Sequence, residues 1–262
     1  MDLQLTGKRV LVTGASKGIG LATVRAFLAE GAVVTGTARR STPALEATGA
    51  AFVPADLSTP DGPRQMIEAV LAADPRLDVL VNNAGGGTMP DEAFGDPLDG
   101  DDDTWAMAFA LNLNAAVRTT RAALPALIEA RGSIVNISSD SARRPIGVPI
   151  PYATAKAAIN AFSRGLAEKV AASGVRVNVV TPSGTRTDLL AGPDGYGAQL
   201  AGLMGIDQET MLAAMPKQNG MLTETLIDPD EIARAVLLLA SPTMPSAIGS
   251  NWSVDAGALK AA

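Results

Sequence analysis

Tyr152 and Lys156 stand four residues apart in Tyr-Ala-Thr-Ala-Lys. Ala153, Ala155, Ala157 and Ala158 around them favour helix. On a helix this spacing puts both side chains on one face, one turn apart. A phenol ordinarily gives up its proton near pH ~10. A neighbouring cation favours the phenolate, so the spacing predicts a Tyr152 pKa below the ordinary value and an acid/base pair near neutral pH. Ser139 precedes Tyr152 by thirteen residues and follows the apolar run Ser133–Ile137, which reads as a buried strand. A hydroxyl at a strand end is placed to hydrogen-bond a polarised oxygen. Taken alone, Tyr-x-x-x-Lys has a plainer reading: a tyrosine packed on an amphipathic helix with its hydroxyl at the rim.

Composition narrows the chemistry. The 262 residues contain no His and no Cys. A Ser-His-Asp triad, a thiolate nucleophile, disulfides and metal sites built on His or Cys are therefore excluded, and no metal is expected. Tyr, Lys and carboxylates remain for proton transfer. The absence of Cys fits a reducing compartment. A net charge of −6, from 21 basic and 27 acidic residues with no basic block, argues against nucleic acid as a partner. The first nine residues lack a basic stretch followed by an apolar core, and no run of eighteen apolar residues occurs. These features lead us to expect a soluble, cytoplasmic protein with no membrane partner.

The elements that must position the pair follow from hydrophobic periodicity. Strands are predicted at Arg9–Thr13, Val33–Thr37, Ala51–Pro54, Leu77–Val81, Ser133–Ser138, Val175–Val180 and Ser250–Val254. Helices are predicted at Leu21–Glu30, Arg64–Ala73, Tyr152–Ala172 and Pro229–Ala240. One long helix is predicted over Thr104–Arg131, with Pro125 a candidate kink. Strands alternating with helices imply βαβ units and a parallel sheet. The fold class is α/β: a single doubly wound Rossmann-type domain over 1–262, with a mostly parallel seven-stranded sheet and helices on both faces. Two segments break the alternation. Asp91–Asp103 carries Asp91, Glu92, Asp96, Asp99, Asp101, Asp102 and Asp103. It reads as a solvated loop whose last acids suit a helix N-terminus. The other, 187–225, is rich in Gly, Leu and Met and reads as a substrate lid with an adaptable apolar surface.

Gly14-Ala-Ser-Lys-Gly18-Ile-Gly20 joins the first strand to the first helix. Glycines there let the backbone approach a pyrophosphate, which the helix N-terminus attracts. The spacing is not G-x-G-x-x-G, and many tight turns hold three glycines, so it is the βαβ setting that gives the turn weight. Ser16, Lys17 and Ile19 belong to the same turn. At the end of the second strand a carboxylate would favour NAD, and an Arg NADP. The chain has Arg39 and Arg40 there and no carboxylate before Glu46, with Lys17 a further cation. NADP(H) is therefore expected over NAD(H), unless the two arginines are merely exposed.

Thr13-Gly-x-x-x-Gly-x-Gly20, Asn82-Asn-Ala-Gly85, Asn112, Ser139 and Tyr152-x-x-x-Lys156 occur in the order and spacing of the short-chain dehydrogenase/reductase family. Over nearly its whole length the chain resembles the members that include 3-oxoacyl-carrier-protein reductases and secondary-alcohol dehydrogenases. The resemblance implies that Tyr152 is the acid/base at a carbonyl oxygen. It implies that Lys156 holds the nicotinamide ribose and lowers the tyrosine pKa, and that Ser139 hydrogen-bonds the substrate oxygen. Asn112 would hold a water relay behind Lys156, with Asn114 a rival disfavoured by its spacing from Trp105. Asp56, beside Leu57, would meet adenine. Asn83 would line the cofactor cleft, and Thr185 and Thr187 would meet the nicotinamide end. The family's usual Pro-Gly is here Pro182-Ser183-Gly184, so Gly184 is expected to supply a backbone angle that only glycine tolerates. The implied activity is NADP(H)-dependent reduction of a ketone or aldehyde, or the reverse, on a small molecule expected to be apolar, by a homo-oligomer, expected to be a tetramer. The reading from another class is a non-catalytic NADP(H)-binding sensor or scaffold, against which the complete residue set argues. Enoyl reduction is disfavoured by the short Tyr–Lys gap.

Overall fold

The computed structural model describes residues 1–86, 90, 93 and 96–260. Asp91 and Glu92 of the acidic segment lie outside the described residues. Seven strands form one sheet: β1 Arg9–Thr13, β2 Val33–Ala38, β3 Ala51–Pro54, β4 Val79–Asn82, β5 Ser133–Ile137, β6 Arg176–Pro182 and β7 Asn251–Val254. Their order is β3-β2-β1-β4-β5-β6-β7. Every pairing is parallel, as in Val12 opposite Val81 and Val135 opposite Asn178. The chain order reverses between β1 and β4. That opens a crevice at the carboxyl ends of these strands, where ligands bind in open α/β sheets.

A parallel sheet needs cover on both faces, and the side chains divide accordingly. Val10, Val12, Val79, Val81, Val135 and Ile137 face one core, filled by Val24 and Phe27 of α1 (Gly18–Ala29) and by Ile232, Val236 and Leu239 of α10 (Pro229–Ala240). Leu11, Leu80 and Ile134, the alternate positions, face the other. That second core is filled by Met66, Ile67 and Val70 of α3 (Gly62–Ala73), Leu127 of α5 (Ala115–Ala130) and Ala167 and Val170 of α6 (Ile150–Val170). Among the described residues no helix is long and apolar enough to cross a membrane.

Three regions differ from the sequence expectation. The predicted helix Thr104–Arg131 is α4 (Asp102–Phe109), a π-helical turn (Ala110–Asn114) and α5 in succession, and α5 runs unbroken through Pro125. Such turns insert a residue into the helical register, often at functional sites, which periodicity does not reveal. The short helix α2 (Pro43–Glu46) was not expected; Thr42 caps it and Pro43 opens it. The segment 187–225 is mostly helical: α7 (Asp188–Ala191), α8 (Tyr196–Met204) and α9 (Gln208–Gln218). Met211 and Met221 are buried there, so two of its four methionines pack inward rather than forming an adaptable surface.

Candidate active site

The crevice gathers the predicted residues from separate elements. Lys156 is buried on α6, and its Nζ donates to the Ile137 carbonyl at the end of β5, at 3.0 Å. The ammonium sits 5.7 Å from the centroid of the Tyr152 ring, within cation–π range. Tyr152 is half-buried, and its hydroxyl hydrogen-bonds with Ser139. Burial drives the two groups apart in proton affinity. It pushes the Tyr152 phenol up to about 12, reinforced by the Asp140 charge and only partly offset by Ser139. It pulls Lys156 down to about 8. The expected depression of the Tyr152 pKa is therefore not what this environment produces. Helical spacing does bring the lysine one turn away, but its charge lies over the ring with Nζ committed to Ile137, and desolvation of the phenolate wins. At neutral pH the phenol holds its proton and can donate it.

Ser139 stands at the mouth of β5. Its Oγ donates to Asp140 Oδ1 at 3.2 Å and accepts from the Ser141 N–H and hydroxyl at 3.2 and 2.8 Å. Asn112, in the π-helical turn, is buried. Its Oδ1 accepts from Gly86 N–H at 3.0 Å, and its Nδ2 donates to the carbonyls of Gly86 and Ala108 at 2.9 and 3.0 Å. Asn114, the rival, is only half-buried. A methyl group added at Gly85 would stand 2.9 Å from Asn112 Oδ1 and 3.0 Å from Lys156 Nζ. The loop after β4 thus meets both residues at a point where an added methyl would force one of them to move.

The glycine turn is built for close approach. Gly14 and Gly18 take φ of +65° and +56°. A Cβ at Gly20 would lie 2.2 Å from the Gly14 carbonyl oxygen. Asn83 braces the turn, its Nδ2 donating to the carbonyls of Thr13 and Gly14 at 2.9 and 3.2 Å. Thr13 Oγ1 accepts from the N–H groups of Asn83 and Ala84, both at 3.0 Å. The N-cap residue of α1, Lys17, makes no side-chain cap bond, and the first turn holds no acidic residue. Its N-terminal N–H groups and dipole therefore favour an anion, which fits the pyrophosphate of a dinucleotide. Ile19 packs partly into the core, and the Ser16 carbonyl accepts from Thr42 Oγ1 at 2.7 Å.

Other predicted cofactor residues are distributed less simply. Lys17, Arg39 and Arg40 are exposed. Hydrogen bonds from the side chain and backbone of Ser58 lower the Asp56 pKa, with the Arg39 charge adding to them. Leu57 is buried in the second core, so its side chain is unavailable for adenine. Thr185 is buried, and its hydroxyl donates to the Ser183 carbonyl at 2.8 Å. Thr187 lies against Gly18, where its Cβ would be 3.1 Å from an added methyl, so it borders the glycine turn. Neither Ser183 nor Gly184 has positive φ. The expectation that Gly184 supplies a glycine-only angle is thereby corrected. Its small size instead admits the Leu226 methyl, 3.1 Å from where a Cβ would stand.

The short chain dehydrogenase family pattern matches residues 8–193. The chain belongs to that family. It is 34% identical over 270 residues to an uncharacterized oxidoreductase, YvrD, of Bacillus subtilis, with 99% of each chain covered. It is 35% identical over 198 residues to the 3-oxoacyl-[acyl-carrier-protein] reductase FabG of Chlamydia pneumoniae, covering 72% of this chain and 78% of that one. Among solved structures, L-sorbose reductase of Gluconobacter frateurii, complexed with NADPH and L-sorbose, superposes with a TM-score of 0.88 at 30% identity over all of both chains.

Some residues of this short-chain dehydrogenase carry the site without having been assigned a role from sequence. Gly85 and Thr13 lie inside recognised motifs, so the signal was present and only the contact was missing. The buried chain Thr120–Asn82–Asn136–Ser163 ties α5, β4, β5 and α6 together through bonds of 3.0, 2.8 and 2.7 Å. Nothing in the local sequence pairs these polar residues.

Proposed function

We propose that this oxidoreductase reduces a ketone or aldehyde to an alcohol with NADP(H), or runs the reverse reaction, using Tyr152 as acid/base. The observation that carries the reading is the convergence of Tyr152, Ser139, Lys156 and Asn112 beside the uncapped start of α1. Bound NADPH would supply the hydride. Tyr152 would give its proton to the substrate oxygen, with Ser139 hydrogen-bonding the same oxygen. Lys156, held over the tyrosine ring, would bind the nicotinamide ribose and offset phenolate charge. Asn112 would hold the end of β4 and a water behind Lys156. Gly14, Ser16, Lys17, Gly18, Ile19, Gly20 and Thr187 would surround the pyrophosphate, and Arg39 and Arg40 the 2′-phosphate. Asp56 and the Leu57 backbone would border adenine, while Asn83 and Thr185 would shape the cleft. The NADPH complex of the sorbose reductase supports the choice of cofactor. A non-catalytic sensor would not need this complete set.

The segment 187–225 is proposed as a lid. Its exposed Leu203, Met204, Ile206 and Leu222 support an apolar substituent on the substrate. A hydroxylated substrate is the second reading, favoured by the polar group Ser139, Asp140, Ser141 and Ser183 and by the sugar substrate of the sorbose reductase. Assembly as a homotetramer is supported by exposed Met107 and Ile128 on α4 and α5 and by exposed Ala161 on α6; Ala153 is buried within the chain.

The test is NADPH oxidation with a panel that includes alkyl ketones and ketoses, for the wild type and Tyr152→Phe. The variant should lose about 10²–10⁴-fold in turnover while keeping NADPH affinity. Near-normal turnover would reject Tyr152 as the acid.

A further inference from the structure

Asp140 is adjacent to the catalytic serine, and its carboxylate points into the hydroxyl network rather than into solvent. Oδ1 accepts from Ser139 Oγ at 3.2 Å, and Oδ2 accepts from Ser183 Oγ at 2.5 Å. Ser183 is the residue that departs from the family's usual glycine, and it is buried, as is Ser141 on the other side of Ser139. The network therefore runs from Tyr152 through Ser139 to Asp140 and on to Ser183. The charged and titratable groups facing it are few. Lys156 lies over the Tyr152 ring. The Asp140 charge acts on Tyr152, the Asp255 charge beyond β7 acts on Asp140, and Tyr196 of α8 is electrostatically coupled to Tyr152. Among the described residues no cation is bonded to Asp140; its partners there are hydroxyls and one backbone N–H, that of Ser141.

We propose that Asp140 is a positioning residue for the acid/base pair. Through Ser139 it orients the hydroxyls at the reacting oxygen, and its charge adds to burial in holding the proton on Tyr152, so the site acts as an acid through neutral pH and needs alkaline pH to act as a base. This rests on Tyr152 being the acid/base. The sign follows from like charge: phenolate beside carboxylate is disfavoured, so neutralising position 140 lowers the pH at which Tyr152 ionises. Ser183 contributes by holding Oδ2 toward the network, a donor that glycine cannot supply.

The chain has two tyrosines, Tyr152 and Tyr196. Tyr196→Phe therefore leaves Tyr152 as the sole tyrosine, and its ionisation can be read from tyrosinate absorbance after a pH jump, without substrate. In that background Asp140→Asn should lower the midpoint by about one pH unit. With an oxidisable alcohol, the rising alkaline limb of the rate profile should move the same way. Asp140→Ser is the second neutral variant should Asn disturb folding. An unmoved or raised midpoint in a variant with native circular dichroism overturns the proposal, as does loss of fold in both variants, which would make Asp140 structural. Tyr152→Phe separates the two ideas: if it is inactive and the Asp140 variants leave the midpoint unmoved, only the positioning role fails; if it retains turnover, the acid/base reading fails first.

Discussion

Asp99 caps the helix that carries Tyr152: its Oδ2 accepts a hydrogen bond from the Ile150 N–H at 2.7 Å. The acidic segment is thus partly structural, with half-buried Asp99 on α6 and Asp101 capping α4 through Thr104 N–H at 2.9 Å. No side chain at the formal cap position, Pro149, can serve α6. Asp99→Ala should cost about 0.5–2 kcal/mol, measured by urea unfolding. It should also lower turnover more than NADPH affinity, because the frayed turn lies next to Tyr152. Unchanged stability would mean that water replaces the cap.

Gly85→Ala should leave the fold intact, since Gly85 does not have positive φ. The added methyl would meet Asn112 Oδ1 at 2.9 Å and Lys156 Nζ at 3.0 Å, so one of them must move. Small displacements of catalytic groups cost up to about a hundredfold. Turnover should fall roughly tenfold or more, with the melting temperature little changed. A variant as active as the wild type would show that Lys156 can retreat without consequence.

Lys156 should carry a stability penalty that depends on pH. Burial lowers its pKa from 10.5 to about 8, so between those values the unfolded chain binds more protons than the folded one. Stability linked to this group is therefore present above pH 10.5 and lost as pH falls through 8. Lys156→Met keeps the length and removes the charge. It should raise stability at pH 7 by about 1–3 kcal/mol, with the gain shrinking toward pH 10, while turnover collapses and NADPH binds more weakly. Urea unfolding at the two pH values checks the sign; a constant difference would show that desolvation is not the cause.

Arg39→Asp combined with Arg40→Ala should erase or reverse a preference for NADPH over NADH. Both guanidinium groups are exposed at the end of β2 and free to meet a phosphate. A charge-assisted hydrogen bond contributes about 1.5–3 kcal/mol, so the wild type should prefer NADPH by roughly tenfold or more. Calorimetric titration with both cofactors decides; equal affinities in the wild type would sink the assignment.

Much of this was legible in the sequence because it depends on local pattern. Short continuous apolar runs such as Val10–Val12, set between turn signals and alternating with helical patterns, read as strands covered on both faces. Helical spacing places Tyr152 and Lys156 on one face, and three glycines between a strand and a helix leave an uncapped N-terminus. Gly14 therefore declared itself within a few positions of its partners Gly18 and Gly20. Tertiary structure decided whatever depends on residues far apart in the chain. Whether Tyr152 holds or releases its proton turns on burial and the Asp140 charge, which outweigh the Ser139 hydrogen bond. The π-helical turn at Asn112, the cap from Asp99 and the Ser183–Asp140 bond join positions 26 to 51 residues apart. Hydrogen bonds and desolvation depend on distance in space, and no periodicity along the chain encodes that distance.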